Sequence, residues 1–195
     1  MFRPDPISWL QFATFWVIVF VGAIALIRAV RAQGDGKSAK KSTTSAVGIL
    51  IQCIGFVSCA TGPVRVVLPW NAPLSLICAI AVALFGGGAI AIFVAATRAM
   101  GKNWSVVARM RSDHELVRTG PFAIVRHPIY FALFLYMLSL AVAFGHSAQL
   151  LLAVPLYSAG TIVRIRGEEK LLRAHFGEQH ARYVREVPAF IPFFR

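Results

Sequence analysis

Residues 128–163 run for 36 positions without an Asp, Glu, Lys or Arg. As one helix this stretch would be roughly 54 Å long, against a hydrocarbon core of about 30 Å. The segment must therefore fold back on itself. Gly145, His146 and Ser147 supply the turn, and the prediction is two tightly joined apolar helices.

The remainder of the chain supports a membrane setting. A soluble domain usually has about 25% charged residues. Here the share is 14%, with 57% apolar types in 195 residues. Disorder, a collagen-like chain and a disulfide scaffold are excluded, and the composition indicates an integral membrane protein. Three more apolar stretches occur, at 8–27, 46–68 and 74–97. The first is too long for a signal-peptide core and lacks a small-residue cleavage site, so it reads as a retained span. The second is interrupted only by Arg65. Pro69, Asn71 and Pro73 then separate it from the third, because such a cluster cannot continue a helix. The expected fold is an all-α membrane protein with five transmembrane helices and a cytoplasmic C-terminal helical segment.

Lysine and arginine positions test that count. Residues 28–45 hold Arg28, Arg31, Lys37, Lys40 and Lys41; residues 98–127 hold six more basic side chains, and the tail from Arg164 holds seven. Five spans put these three regions, with 18 of the 20 basic residues, on one face, leaving Arg3 and Arg65 on the other. The positive-inside rule then places the N-terminus outside and the C-terminus in the cytoplasm, in the inner membrane for a bacterial cell. The net charge of +12 reads mainly as topology. Nucleic-acid binding is not expected, because the basic residues are spread over three segments without aromatic interleaving.

The chain divides into residues 1–97, three spans with a polar linker at 28–45, and residues 98–195, the hairpin with its flanking cytoplasmic segments. Gly86, Gly87 and Gly88 suit close helix packing. Pro63 and Pro155 are expected to kink spans two and five. Cys53, Cys59 and Cys78 lie in apolar stretches and read as buried thiols. His114 and His175 lack metal-ligand spacing, His146 is expected to be solvated in the outer turn, and no metal is expected. No nucleophile elbow, phosphate loop or Rossmann glycine pattern is present.

Two polar stretches could carry chemistry. The first contains Gly101-Lys102-Asn103-Trp104-Ser105, Asp113-His114-Glu115-Leu116-Val117, Gly120-Pro121-Phe122 and Arg126-His127-Pro128-Ile129-Tyr130. Pro128 suits a first helical turn, whose N–H groups and dipole attract anions. Arg126 and His127 are then either interfacial anchors or ligand donors. The second stretch contains Arg164, Glu168, Glu169, His175, Gly177, Tyr183 and Val187-Pro188. Arg164 and Glu168 are four apart and share a helix face, as a surface ion pair or as groups that bind ligands of opposite charge. Gly177 can end that helix.

As an ordered set, these motifs resemble the isoprenylcysteine carboxyl methyltransferase family, within a wider group of membrane methyltransferases that includes phospholipid N-methyltransferases. The resemblance covers roughly residues 98–195. It rests on His-x-Leu-Val, Gly-Pro-aromatic, Arg-His-Pro-x-Tyr, a hairpin, Glu-Glu-x-x-Leu, Phe-Gly, Tyr, Val-Pro and a final Ile-Pro ending at Pro192. It implies S-adenosylmethionine-dependent methyl transfer at the cytoplasmic membrane face, to a lipophilic or lipidated acceptor such as an isoprenylcysteine carboxylate. Cofactor contacts are implied for His114, Glu115, Leu116, Val117, Phe122, Arg126, His127, Pro128, Ile129, Tyr130 and Glu168. Arg164 is implied on the acceptor side.

Several positions depart from the family pattern. Phe122 stands where tyrosine is usual, Ala132 where glycine is frequent, His180 where a tyrosine stands and Ala189 where a basic residue is common. A carboxylate acceptor is already ionised near neutral pH and needs no base. An amine acceptor, as in phospholipid N-methyltransferases, would call on Glu169 or Tyr130 as a base. The catalytic candidates are thus Arg164, Tyr130 and Glu169. A non-catalytic membrane ligand-binding module is the alternative outside enzyme chemistry.

Overall fold

A computed structural model of the chain describes residues 3–32, 40–41, 43–106, 109–110 and 115–190. His114, linker positions Lys37 and Asp35, and the final Ile191-Pro192 lie outside the described residues. In chain order the elements begin with β1 (Pro6–Ile7), α1 (Trp9–Arg31), β2 (Lys40–Lys41), α2 (Thr43–Ala60) and β3 (Arg65–Val66). Then follow α3 (Pro73–Met100), β4 (Arg109–Met110), α4 (Pro128–Phe144), α5 (Leu150–Phe176) and α6 (Glu178–Glu186). Among the described residues, three helical stretches are long and apolar enough to cross a membrane: Trp9–Arg31, Pro73–Asn103 and Ser147–Phe176. Thr44–Ala60 and Pro128–Phe144 are shorter apolar helices. At 1.5 Å per residue, α4 spans about 25 Å.

Local chemistry sets the helix ends. Ser8 caps α1 in a reciprocal box, its hydroxyl accepting from the Gln11 N–H while the Gln11 side chain accepts from the Ser8 N–H. The Gln11 amide also donates to the Val142 carbonyl at 2.9 Å, in the last turn of α4, where the Gly145 N–H donates to the same oxygen at 3.3 Å. Pro73 and Pro128 open α3 and α4 in the first turn, where a missing N–H costs nothing. Gly145 ends α4 in the left-handed region at φ 71. A Cβ there would also lie 2.5 Å from the Asp5 carbonyl oxygen, whose own N–H donates to Gly145 at 2.7 Å.

The second apolar stretch is shorter than the sequence predicts. It ends as helix at Ala60, not at residue 68. Gly62 adopts φ 142 and precedes Pro63, and both properties oppose helical continuation. Pro63 therefore lies beyond α2 and kinks nothing. Arg65 belongs to β3, which pairs in parallel with β1. Pro155 lies inside α5 as expected. His146 also departs from expectation. It is buried, with Nδ1 2.6 Å from the Cys59 carbonyl oxygen and Nε2 3.2 Å from that of Pro63. The carbonyls freed where α2 stops need donors, and this histidine sits among them. Cys59 is buried, but Cys53 is exposed and Cys78 is intermediate.

The hairpin turn forms where predicted, yet its two arms hold other partners. α4 packs chiefly against α3, and α5 chiefly along α2. Glycines explain the second pairing. A Cβ on Gly160 would stand 2.7 Å from the Gly48 carbonyl oxygen and 2.8 Å from the Gln52 backbone nitrogen. Gly55 likewise faces the α5 backbone at Ala153 and Tyr157. α2 and α5 thus meet backbone to backbone, the small-residue mode of helix packing in membranes. Gly86 has a similar role in α3, facing Ile18 and Ser139, whereas Gly87 has nothing within 4 Å. Phe15, Val82, Met137, Leu140 and Tyr157 form the centre of the apolar core.

Gly160→Ala should lower stability by about 1–3 kcal/mol, because the atoms it meets belong to backbone and cannot swing aside. Thermal unfolding in detergent measures this, with Gly87→Ala as a control expected to show no loss.

Candidate active site

The divergence of α4 and α5 from their turn opens a cavity of about 280 Å³ at the far end of the bundle. Its polar wall comes from two helices. The start of α4 contributes His127, Pro128, Ile129 and Tyr130; α5 contributes Arg164 and Glu168, one turn apart. Phe122 and Arg126 come from the preceding loop, and Asn103 and Trp104 from the turn after α3. Leu26 of α1, Phe93 of α3, Leu133 of α4 and Leu171 of α5 give the rest an apolar lining.

Charges of both signs interlock here. The Tyr130 hydroxyl donates to Glu168, and the His127 ring stacks on the Tyr130 ring with an interplanar angle of 24°. His127 Nδ1 lies 3.5 Å from Glu168 and Nε2 lies 3.3 Å from Glu169. Burial alone would lower the His127 pKa, but the two carboxylates outweigh it and raise the value above 6.5. Arg126 donates through Nε at 3.0 Å and Nη2 at 2.6 Å to one oxygen of Glu169. The adjacent glutamates therefore differ. Glu168 faces the cavity, whereas Glu169 is engaged by Arg126 and His127 and borders a shallower hollow with Arg166, Lys170 and Arg173.

Arg164 is 9% exposed. Its guanidinium lies 4.8 Å above the Tyr130 ring centroid, with Nη2 4.0 Å from Glu168. Nη1 donates to Gln52 of α2 at 3.0 Å, and Nη2 donates to the Val106 carbonyl at 2.9 Å. The Tyr130 main chain is fixed as well, its carbonyl accepting from the Tyr157 hydroxyl at 2.6 Å.

A clasp built from α6 and the residues after it holds the loop before α4. The N–H groups of Arg126 and His127 donate to the carbonyls of Pro188 and Ala189 at 2.9 and 3.0 Å. Arg126 Nη1 reaches the Val184 and Val187 carbonyls. The Tyr183 hydroxyl, its pKa pushed up to about 12 by burial, donates to the Phe122 carbonyl at 2.6 Å. Arg118 lies over the Tyr183 ring and pairs with Glu186.

Of the sequence-predicted set, Phe122, Arg126, His127, Pro128, Ile129, Tyr130, Arg164 and Glu168 line one cavity. Glu115 is exposed, Leu116 and Val117 are half-buried, and none of the three lines it. His114 falls outside the described residues. Three contributors were missed in the sequence reading: Gln52, Asn103 as a cavity group, and Tyr183 as a loop anchor. Gln52 carried a usable signal, a long polar side chain in a charge-free apolar helix.

The long apolar helices mark an integral membrane protein, and a cavity with charged residues in its wall lies at one end of the bundle. A sequence model of the isoprenylcysteine carboxyl methyltransferase (ICMT) family matches residues 78–174. Over that segment the chain is similar to this family. Protein-S-isoprenylcysteine O-methyltransferase of Schizosaccharomyces pombe is 33% identical over 87 residues, 45% of this chain and 37% of that protein. Protein-S-isoprenylcysteine O-methyltransferase B of Arabidopsis thaliana is 27% identical over 103 residues, 48% of each chain. The Saccharomyces cerevisiae protein of that name is 31% identical over 88 residues, 45% of this chain and 37% of its own. The matches thus span half or less of these relatives. The family match begins inside α3 and ends inside α5, leaving out α1, α2 and α6.

The raised His127 pKa has a stability consequence. A charged imidazole held by Glu168 and Glu169 contributes fully below about pH 6.5 and loses that contribution as pH rises through the folded-state value. The thermal midpoint of the wild type should therefore fall more steeply above pH 6.5 than that of His127→Phe, measured as the difference between the two curves.

Proposed function

We propose that this protein transfers a methyl group from S-adenosylmethionine to the carboxylate of an isoprenylcysteine-like lipophilic acceptor. The observation that carries the reading is the convergence of Tyr130, Glu168 and Arg164 on one cavity that is otherwise apolar. Two buried polar atoms in its wall, Asn103 Oδ1 and Arg164 Nε, have no hydrogen-bond partner among the described residues. An acceptor and a donor left unpaired at a cavity suit a polar ligand, since such atoms are costly to bury alone. The unpaired Asn103 oxygen and the Glu168 carboxylate fit a polar, cationic cofactor, and the unpaired Arg164 Nε fits an anionic acceptor.

S-adenosylmethionine, when bound, supplies an electrophilic methyl group on a positively charged sulfur. Glu168 provides the negative charge for a cationic ligand. The start of α4, with His127 beside it, provides the positive end of a helix dipole for a carboxylate. Arg164 orients the acceptor carboxylate, which needs no deprotonation near neutral pH. Tyr130 holds Glu168 in place. Glu169 acts at one remove, fixing Arg126 and His127, and its engagement there disfavours a role as base for an amine acceptor. The apolar lining from Leu26, Phe93 and Leu133 suits a lipid tail and keeps water from the site. Five spans, with α2 and α4 as the short ones, put the N-terminus outside and this cavity at the cytoplasmic face, where the basic connections lie.

The test uses calorimetry of S-adenosylmethionine binding and turnover of N-acetyl-S-farnesylcysteine by purified protein. Glu168→Ala should weaken cofactor binding by about 100-fold, the scale of a lost charged contact. Arg164→Ala should raise the acceptor KM about tenfold or more and leave cofactor affinity within about twofold. Unchanged cofactor affinity in Glu168→Ala, or a loss in Arg164→Ala confined to the cofactor, would reverse these roles.

A further inference from the structure

The family-matched segment leaves out α2, yet α2 reaches the site. Gln52 is 4% exposed and sits where α2 and α5 approach through Gly48 and Gly160. Its side-chain oxygen accepts from Arg164 Nη1 at 3.0 Å, and its side-chain nitrogen donates to Thr161 Oγ1 at 2.8 Å. Thr161 lies one turn before Arg164 on the same helix. The amide is therefore held at both ends and cannot rotate without losing a buried hydrogen bond.

Arg164 in turn is held on three sides. Gln52 takes Nη1, the Val106 carbonyl takes Nη2, and the Tyr130 ring lies beneath the guanidinium plane. What remains open is the Nε edge, buried and without a partner among the described residues. Arginine has long, rotamer-rich side-chain freedom, and ordering it in advance reduces what ligand binding must otherwise immobilise. A polar amide inside an apolar membrane helix also has no solvent to satisfy it, so its partners are fixed rather than exchanging.

We propose that Gln52 is a positioning residue for the acceptor side of the site: through Arg164 it sets the orientation in which an anionic lipid acceptor is received. The inference rests on the reading that Arg164 serves the methyl acceptor. It assigns to the N-terminal half of the chain a part in substrate recognition, alongside its part in packing. Gln52 itself does not line the cavity.

Gln52→Met keeps the side-chain length and removes both hydrogen bonds. With N-acetyl-S-farnesylcysteine as acceptor, it should raise KM about fivefold to tenfold, with S-adenosylmethionine affinity within about twofold of wild type. In an Arg164→Ala background the same change should alter KM by less than about twofold, because residues acting through one contact are not additive. A merely structural residue would give equal effects in both backgrounds, and that result would overturn the proposal. Thr161→Val tests the same chain if Gln52→Met does not fold, with a smaller rise in KM expected and unchanged KM counting against the proposal. Relaxation of the 15N-labelled Arg164 side chain, assigned by its absence in Arg164→Lys, needs no acceptor. Its order should drop in Gln52→Met or Thr161→Val, and unchanged order would refute the positioning role. A wild type that binds cofactor but does not turn over this acceptor would instead count against the acceptor reading.

Discussion

The backbone-to-backbone contact of α2 and α5 determines where everything else can lie. Gly48, Gly55 and Gly160 remove the side chains that would hold two helices apart. α5 is thereby drawn to α2, while α4 settles on α3. Two helices joined by a tight turn would ordinarily lie along each other and fill the space between them. Here they part, and their separation at the end distant from Gly145 opens the cavity. Small residues in this bundle consequently serve a void as much as a contact.

Of two consecutive glutamates, Glu168 lines the void and Glu169 stands outside it. Neighbouring positions on a helix point about 100° apart, so two identical side chains cannot face one cavity equally. Glu168 points inward, to Tyr130, and Glu169 points to Arg126 and His127. His127 lies between them and touches both. One carboxylate remains close to the open space, and the other neutralises the cations that organise the loop before α4. The arrangement separates the charge that faces the cavity from the charge that shapes its wall.

Much of this was legible in the chain. The charge-free length of residues 128–163 dictated a hairpin, Pro128 and Gly145 marked the ends of its first arm, and the four-residue spacing of Arg164 and Glu168 put both on one helix face. Each is a local property, set by backbone geometry and bond counts. What escaped was decided between segments. A glycine in an apolar run does not reveal which helix it will touch, so the partner of α5 was not apparent. Arg65 and Pro63 were assigned to a span because composition alone does not weigh the φ that Gly62 must adopt. His146 looked like a polar turn residue, and only the stop of α2 at Ala60 provides the carbonyls that draw it inside. Gln52 needed both kinds of knowledge: its oddity was visible in sequence, its partner was not.

The clasp on the loop has a temporal side. Arg126 is bound by Val187, 61 positions later in the chain. At ribosomal speeds of about 5–20 residues per second, the later partner emerges about 3–12 s after the earlier one. During that interval both arms of the hairpin can already be entering the bilayer while the loop beside them lacks its last backbone acceptors. The loop before α4 therefore gains its last backbone acceptors only once α6 and the residues after it have been synthesised.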